Sequence, residues 1–160
     1  MIQHPFPPLY CAESKVLILG SFPSVKSREA LFFYGHPQNR FWKVIAALFE
    51  KPVPQTVAEK KQLILGSGLA LWDSIAACDI KGSSDASIKN AVPTDLSVIL
   101  DNAPIERIFC NGSRSYEIYN RYQLAVTGRP AEKLPSTSPA NAACSLEKLI
   151  NEWKVVRECL

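Results

Sequence analysis

The sequence predicts an α/β protein, a three-layer α/β/α sandwich with a central, mostly parallel four-stranded sheet. Three observations carry this. Val16-Leu17-Ile18-Leu19 is a continuous apolar run bounded by Lys15 and Gly20, the pattern of a strand buried on both faces. Similar short runs at 69–73 and 105–110 are separated from it by segments of helical spacing. Strands alternating with helices imply a parallel sheet covered on both faces. The chain has 160 residues, 47% of them apolar, enough for one compact domain with a real core. No internal repeat or linker divides it, so residues 1–160 are read as a single domain.

Residues 1–14 read as an N-terminal arm packed through Phe6, Leu9 and Tyr10, and Val16–Leu19 as the first strand. From Asn39 to Glu50, apolar residues at 41, 42, 45, 46, 48 and 49 predict a helix, which Pro52 and Pro54 end. Residues 57–65 predict a second helix with Thr56 as its cap, broken by Gly66-Ser67-Gly68. Leu69–Asp73 reads as the second strand. Residues 79–95 are polar and turn-rich and read as loop, with Thr94 or Asp95 capping a short helix through Leu100. Ile105–Cys110 is the third strand. Asn111-Gly112-Ser113 turns into a helix containing Tyr116, Ile118 and Tyr119. Gln123–Val126 reads as the fourth strand, and Lys133-Leu134 as a short extension before a Pro-rich loop. A last helix covers 146–156, with Leu146, Leu149, Ile150 and Trp153 on one face.

The composition narrows the function. No window approaches the roughly 18 apolar residues of a membrane span, and the polar, Pro-rich start does not read as a signal peptide, so a cytoplasmic protein without a membrane partner is expected. The net charge of +3 is compatible with a nucleic-acid partner without proving one. The cysteines at 11, 78, 110, 144 and 159 form no C-x-x-C pair. They read as reduced thiols, partly core fillers, and not as a metal site.

The stretch from Gly20 to Trp42 holds the candidate chemistry. It begins at the C-terminal end of a buried strand, where ligands bind in open α/β sheets. It concentrates aromatic, amide, imidazole and guanidinium groups in Phe32-Phe33-Tyr34-Gly35-His36-Pro37-Gln38-Asn39-Arg40-Phe41-Trp42.

Three segments in order resemble the uracil-DNA glycosylase superfamily across residues 15–155. Gly20-Ser21-Phe22-Pro23-Ser24 resembles its Gly-x-Asn-Pro-Gly loop. Tyr34 to Trp42 resembles the aromatic-x-His-Pro-x-Asn-Arg-Phe-Trp element of the mismatch-specific uracil and thymine glycosylases. Leu134-Pro135-Ser136-Thr137-Ser138-Pro139-Ala140 resembles the late Pro-Ser loop, and Gly68–Asp73 a Gly-x-x-x-Thr-Asn segment. One departure matters: the family's catalytic Asn or Asp falls on Phe22, which cannot hold or polarise a water. That pattern, with a functional Asn later in the chain, resembles the hypoxanthine-DNA glycosylase branch.

The resemblance implies roles residue by residue. Asn39 and His36 stand as candidate catalytic residues, Asn39 to position water or sugar, His36 to protonate the leaving group or meet a phosphate. Tyr34 stands at the base-stacking position, Phe22 beside the base, and Asp73 where a base edge is read. Ser24, Ser136, Ser138 and Arg40 are candidate DNA contacts, and Pro139 and Ala140, with Ser138, the wedge that enters the base stack. Each has a plainer alternative: Tyr34 core packing, Asn39 an N-cap, His36 a backbone bond, Asp73 a cap, the 134–140 segment a simple connection, Arg40 a solvated charge.

The function implied is a DNA glycosylase that flips a deaminated base from DNA and hydrolyses its N-glycosidic bond, preferentially that of deoxyinosine, as a monomer without metal or cofactor. Two alternatives stay open: uracil excision from G·U mismatches, and a catalytically silent binder of damaged DNA. A small-molecule nucleotide enzyme is disfavoured, since neither G-x-G-x-x-G nor G-x-x-x-x-G-K occurs.

Overall fold

A computed structural model describes residues 1–160. The chain folds around a parallel sheet of four strands: β2 (Val16–Gly20), β3 (Leu69–Asp73), β6 (Arg107–Asn111) and β7 (Glu132–Leu134), in the order β3-β2-β6-β7. The register runs from Val16 opposite Leu69 to Gly20 opposite Asp73, with Leu19 opposite Cys110 and Asn111 opposite Leu134. Every residue of β2 is buried. Alternation divides its side chains between two faces. Val16 and Ile18 join Leu69, Leu71 and Phe109 under helices α2 (Phe41–Leu48), α3 (Val57–Gly66) and α7 (Leu146–Glu158). Leu17 and Leu19 join Ala70, Ile108 and Cys110 beneath α4 (Ser97–Leu100) and α5 (Ser113–Ile118), with Ile99 and Tyr119 inserted. Trp153 and Phe41 are fully buried and meet edge to face, centroids 5.9 Å apart. At about 1.5–3 kcal/mol per fully buried large side chain, this layer fixes where α2 begins. The three-layer expectation therefore holds.

The caps follow local chemistry. Thr56 Oγ1 accepts from the Glu59 N–H at the start of α3, and Ser145 Oγ from the Lys148 N–H at the start of α7. A short helix α1 (Val25–Ala30) is capped by Ser24, whose Oγ accepts from the Ser27 N–H, where the sequence suggests only a basic spacer.

Two expectations are corrected. Gln123–Val126 is helical, not a strand: α5 continues through a π-helical turn (Tyr119–Gln123) into α6 (Leu124–Thr127), ended by Gly128 at φ 67°. Tyr119 is buried in the core, and Gln123 donates from Nε2 to the Ser74 and Thr94 carbonyls, so tertiary contacts decide a run too short for its period to be read. The fourth strand is β7, longer than the extension expected at 133–134. The second correction concerns 79–95. It is not all loop, because β4 (Ile75–Asp79) and β5 (Lys89–Pro93) pair antiparallel. Strand β1 (Ile2–Gln3) adds to β4, making a second, three-stranded sheet. No helix is long and apolar enough to cross a membrane.

Candidate active site

A cavity of about 310 Å³ opens at the C-terminal ends of the parallel strands, within the size range of small-ligand pockets. Its walls are the 20–24 loop after β2, the 33–39 segment, Asp73 ending β3, Asn111 ending β6 and residues 136–140 after β7. Beyond β2 the chain crosses first to β3 on one side, later to β6 on the other. That reversal is the switch point at which open α/β sheets bind ligands.

Asn39 stands one residue before the N-cap of α2. Its Oδ1 accepts from the Phe41 N–H at 3.0 Å and from Thr137 Oγ1 at 2.8 Å. Thr137 is wholly buried. Its Oγ1 also accepts from Asn111 Nδ2 at 3.0 Å, while its N–H donates to Asn111 Oδ1 at 3.0 Å. A backbone N–H can only donate, so this lattice fixes Oδ1 of Asn39 inward and leaves Nδ2 without a protein acceptor. Asn39 is therefore not the N-cap, a position that Arg40 holds, but its side chain takes up the first N–H of α2 from the preceding residue while lining the cavity.

Asp73 is 5% exposed. Its Oδ2 lies 2.7 Å from Nε2 of His4, whose side chain is equally hidden. The His4 ring packs at 4.5 Å from both Phe6 and Trp72 and edge-on to Phe22 at 5.9 Å. No protein donor engages Asp73 Oδ1, which crowds the Cα of Gly20: a Cβ there would fall 2.4 Å from it.

The aromatic residues divide. Phe22 is buried against Ile75, Cys78, Ile88 and Ile118 and also lines the cavity. Tyr34, at φ 52°, stacks on Phe41 with centroids 3.9 Å apart and planes 18° from parallel, so one ring face is taken by the protein. Its hydroxyl is buried without a hydrogen-bond partner, beside the Asn111 side chain. Burial, reinforced by the Asp73 charge, holds that phenol protonated well above the usual tyrosine range.

His36 lines the cavity and accepts from the Gln38 N–H on Nδ1 at 3.1 Å. Ser24, Ser136 and Ser138 also line it, with each Oγ accepting a local backbone N–H, from Ser27, Ser138 and Ala140 respectively. Pro139 and Ala140 stand at its rim. Arg40 turns inward: its guanidinium donates to the carbonyls of Ser138, Asn141 and Cys144 and ties down the 138–144 loop.

Four contributors were not singled out by their sequence positions. His4 comes from the arm, Thr137 and the Asn111 side chain complete the amide lattice, and Asp85 enters from the 80–88 turn. The Asp85 carboxyl accepts from Ser21 Oγ at 2.8 Å. Burial raises its pKa, partly offset by that hydrogen bond. His4 and Asp73 lie 69 residues apart, Asn39 and Thr137 98 apart, and no local pattern reports such pairs. No cluster of three or more His, Cys, Asp or Glu groups converges to hold a metal. The cavity offers an aromatic wall, an acceptor at Asp73 Oδ1, a donor at Asn39 Nδ2 and small hydroxyl-bearing loops at its mouth. That set suits a planar, hydrogen-bonding ring.

Comparison with known proteins agrees. Residues 7–157 match the Uracil DNA glycosylase superfamily. A hypoxanthine DNA glycosylase of Methanosarcina acetivorans is 31% identical over 157 residues, 98% of both chains. One of Methanosarcina barkeri is 30% identical over 158 residues, 96% of both. The solution structure of a candidate uracil DNA glycosylase from Methanosarcina acetivorans superposes with a TM-score of 0.83 at 30% identity, covering 99% of this chain and 98% of that one. With a match across nearly its whole length and the same fold, the chain belongs to the uracil DNA glycosylase superfamily.

Proposed function

We propose that this DNA glycosylase excises hypoxanthine, the base of deoxyinosine, as a monofunctional, monomeric enzyme of the cytoplasm. The observation that carries this is the exchange of polar groups in the cavity. Phe22 presents hydrocarbon where a water-holding amide or acid would stand, and Asn39, held by Thr137 and Phe41, presents a free Nδ2 instead. The relatives named for hypoxanthine support the same substrate.

The reaction breaks the C1′–N9 bond, whose electron pair leaves on the purine. A water oxygen bonds C1′, and the proton it releases passes to the departing base or to solvent. Positive charge gathers on the sugar, so fixed dipoles beside it lower the barrier. Asn39 Nδ2 holds the attacking water or the sugar oxygen. Asp73 Oδ1 accepts N1–H of the base, and the ring lies along Phe22 and Tyr34. Ser136 and Ser138 sit where flanking phosphates pass.

The test uses duplexes carrying a single deoxyinosine, deoxyuridine or deoxyxanthosine, followed by alkaline cleavage of abasic sites. Cleavage at inosine is expected to exceed the others. Cleavage at uracil alone would establish the G·U reading, which Asp73 also allows, since uracil carries N3–H. Binding without cleavage would make the protein a silent reader of damage.

A further inference from the structure

The N-terminal arm is part of the cavity. It is strapped at three points: Ile2 and Gln3 pair with Cys78 and Ala77 of β4, the terminal ammonium lies 3.2 Å from Asp79, and Leu9 exchanges backbone hydrogen bonds of 3.0 and 2.8 Å with Leu71 on β3. Between these points the His4 N–H donates to the Ala76 carbonyl at 2.8 Å, and the imidazole enters a socket of Phe6, Phe22 and Trp72. Its Nδ1 faces the Phe6 N–H at 3.5 Å, which places the ring proton on Nε2, aimed at Asp73 Oδ2. The arm thus delivers one oriented donor to one carboxylate oxygen of the cavity wall. No Lys or Arg pairs with Asp73. The other charged or titratable groups felt there are Asp85 and the Tyr34 hydroxyl.

We infer that His4 is a positioning residue for base selection: by donating to Oδ2 it fixes the orientation of the Asp73 carboxylate, so that the free Oδ1 faces the base, admits bases bearing a ring N–H and rejects those bearing a lone pair there. The reason lies in deamination itself. Adenine presents a lone pair at N1 and cytosine at N3, whereas hypoxanthine and uracil present N–H at the same positions. A carboxylate accepts and cannot donate, so it attracts the deaminated ring and repels its parent. The hydrogen bond from His4 engages Oδ2 alone, so it sets the direction in which the carboxylate presents Oδ1 to the cavity without occupying the base site.

This rests on the reading of the cavity as the base pocket, and its test separates the two. Wild type, His4→Gln and His4→Asn are assayed on duplexes that differ only in deoxyinosine or the unsubstituted purine deoxynucleoside, which has a lone pair at N1. The selectivity ratio is compared between variants, so the intrinsic lability of each bond cancels. The Gln amide reaches the Nε2 position and the Asn amide does not. His4→Asn should lose about tenfold in kcat/KM on inosine, the scale of one hydrogen bond to a charged group, with a matching fall in the inosine-to-purine ratio. His4→Gln should stay within about threefold of wild type. In an Asp73→Asn background the two His4 variants should be indistinguishable. Should His4→Asn not fold, His4→Phe, which keeps a ring against Phe6 and Trp72, takes its place. An unchanged ratio in a folded His4→Asn or His4→Phe, or an effect that persists fully with Asp73→Asn, overturns the role of His4. A wild-type protein that excises no base overturns the reading of the pocket instead.

Discussion

Thr137 Oγ1 donates a 2.8 Å hydrogen bond to Asn39 Oδ1 across 98 residues of sequence. Because Thr137 is wholly buried and also bonded twice to Asn111, it sets which way the Asn39 amide faces. Thr137→Val keeps the shape and removes the hydroxyl. We expect a stability loss of about 1–3 kcal/mol from the polar groups left unpaired, and a fall in kcat of roughly tenfold or more with KM little changed, since loosened orientation costs the chemical step. Thr137→Ser should recover most of it. Single-turnover excision of inosine with thermal unfolding of each variant decides this. Equal rates for Val and wild type would remove the lattice from the mechanism.

Asn39→Ala should abolish most excision, on the order of 10²–10³-fold, the scale of deleting one oriented donor at a developing charge. DNA affinity should persist, because Asn39 makes no contribution to the loops at the cavity mouth other than its bond to Thr137. The lost Phe41 N–H acceptor should cost only about 1 kcal/mol. Gel-shift affinity measured beside single-turnover rate checks both halves. A fully active Asn39→Ala protein would leave the site without its proposed water-holding group.

Arg40 was expected along a phosphate path, and its guanidinium is directed at the Ser138, Asn141 and Cys144 carbonyls instead. Arg40→Ala should therefore weaken DNA binding by releasing the 138–144 loop, not by removing a phosphate contact. The slope of log K against log salt should stay unchanged, whereas loss of a direct phosphate contact would lower it by about 0.9. A thiol count gives an independent readout. Cys78, Cys110 and Cys144 are buried, Cys11 and Cys159 partly exposed, and burial pushes the Cys110 thiol up to about 12. Native wild type at pH 8 should offer no more than two thiols to a disulfide reagent. Arg40→Ala should offer a third, Cys144.

How much of this was legible in the sequence varies with the range of the interaction. The all-buried β2 and the cap at Thr56 are written in neighbouring residues, so periodicity and side-chain chemistry report them. The cavity stretch from Gly20 to Asn39 was legible as a motif at a strand end. His4 was not, because what makes it part of the site is the pairing of a two-residue strand, too short to carry a period. Strand β5 (Lys-Asn-Ala-Val-Pro) is mostly exposed and shows no alternation, so the second sheet left no trace. Helix in place of strand at 123–126 follows from the carbonyls that Gln123 meets on Ser74 and Thr94, partners that exist only once the chain has folded.

Gly20 is the point where two strands and the cavity meet at closest approach. A Cβ there would fall 2.4 Å from Asp73 Oδ1 and 3.5 Å from the Tyr34 hydroxyl. Asp73 has no room to retreat: its Oδ2 is held by His4, and the next residue's N–H bonds the Gly20 carbonyl at 2.8 Å. Gly20→Ala must therefore part β2 from β3 or turn the carboxylate away from the base. Overpacking of this kind costs about 1–3 kcal/mol, and a displaced acceptor should lower inosine excision by about 10²-fold. Gly66→Ala is the contrast. That glycine ends α3 with nothing within 4 Å of the added methyl. It should gain up to about 1 kcal/mol from reduced chain entropy and leave excision unchanged. Melting temperature and excision rate, measured for both, test the pairing. Wild-type activity in Gly20→Ala would mean that Asp73 Oδ1 does not need to stand where it does.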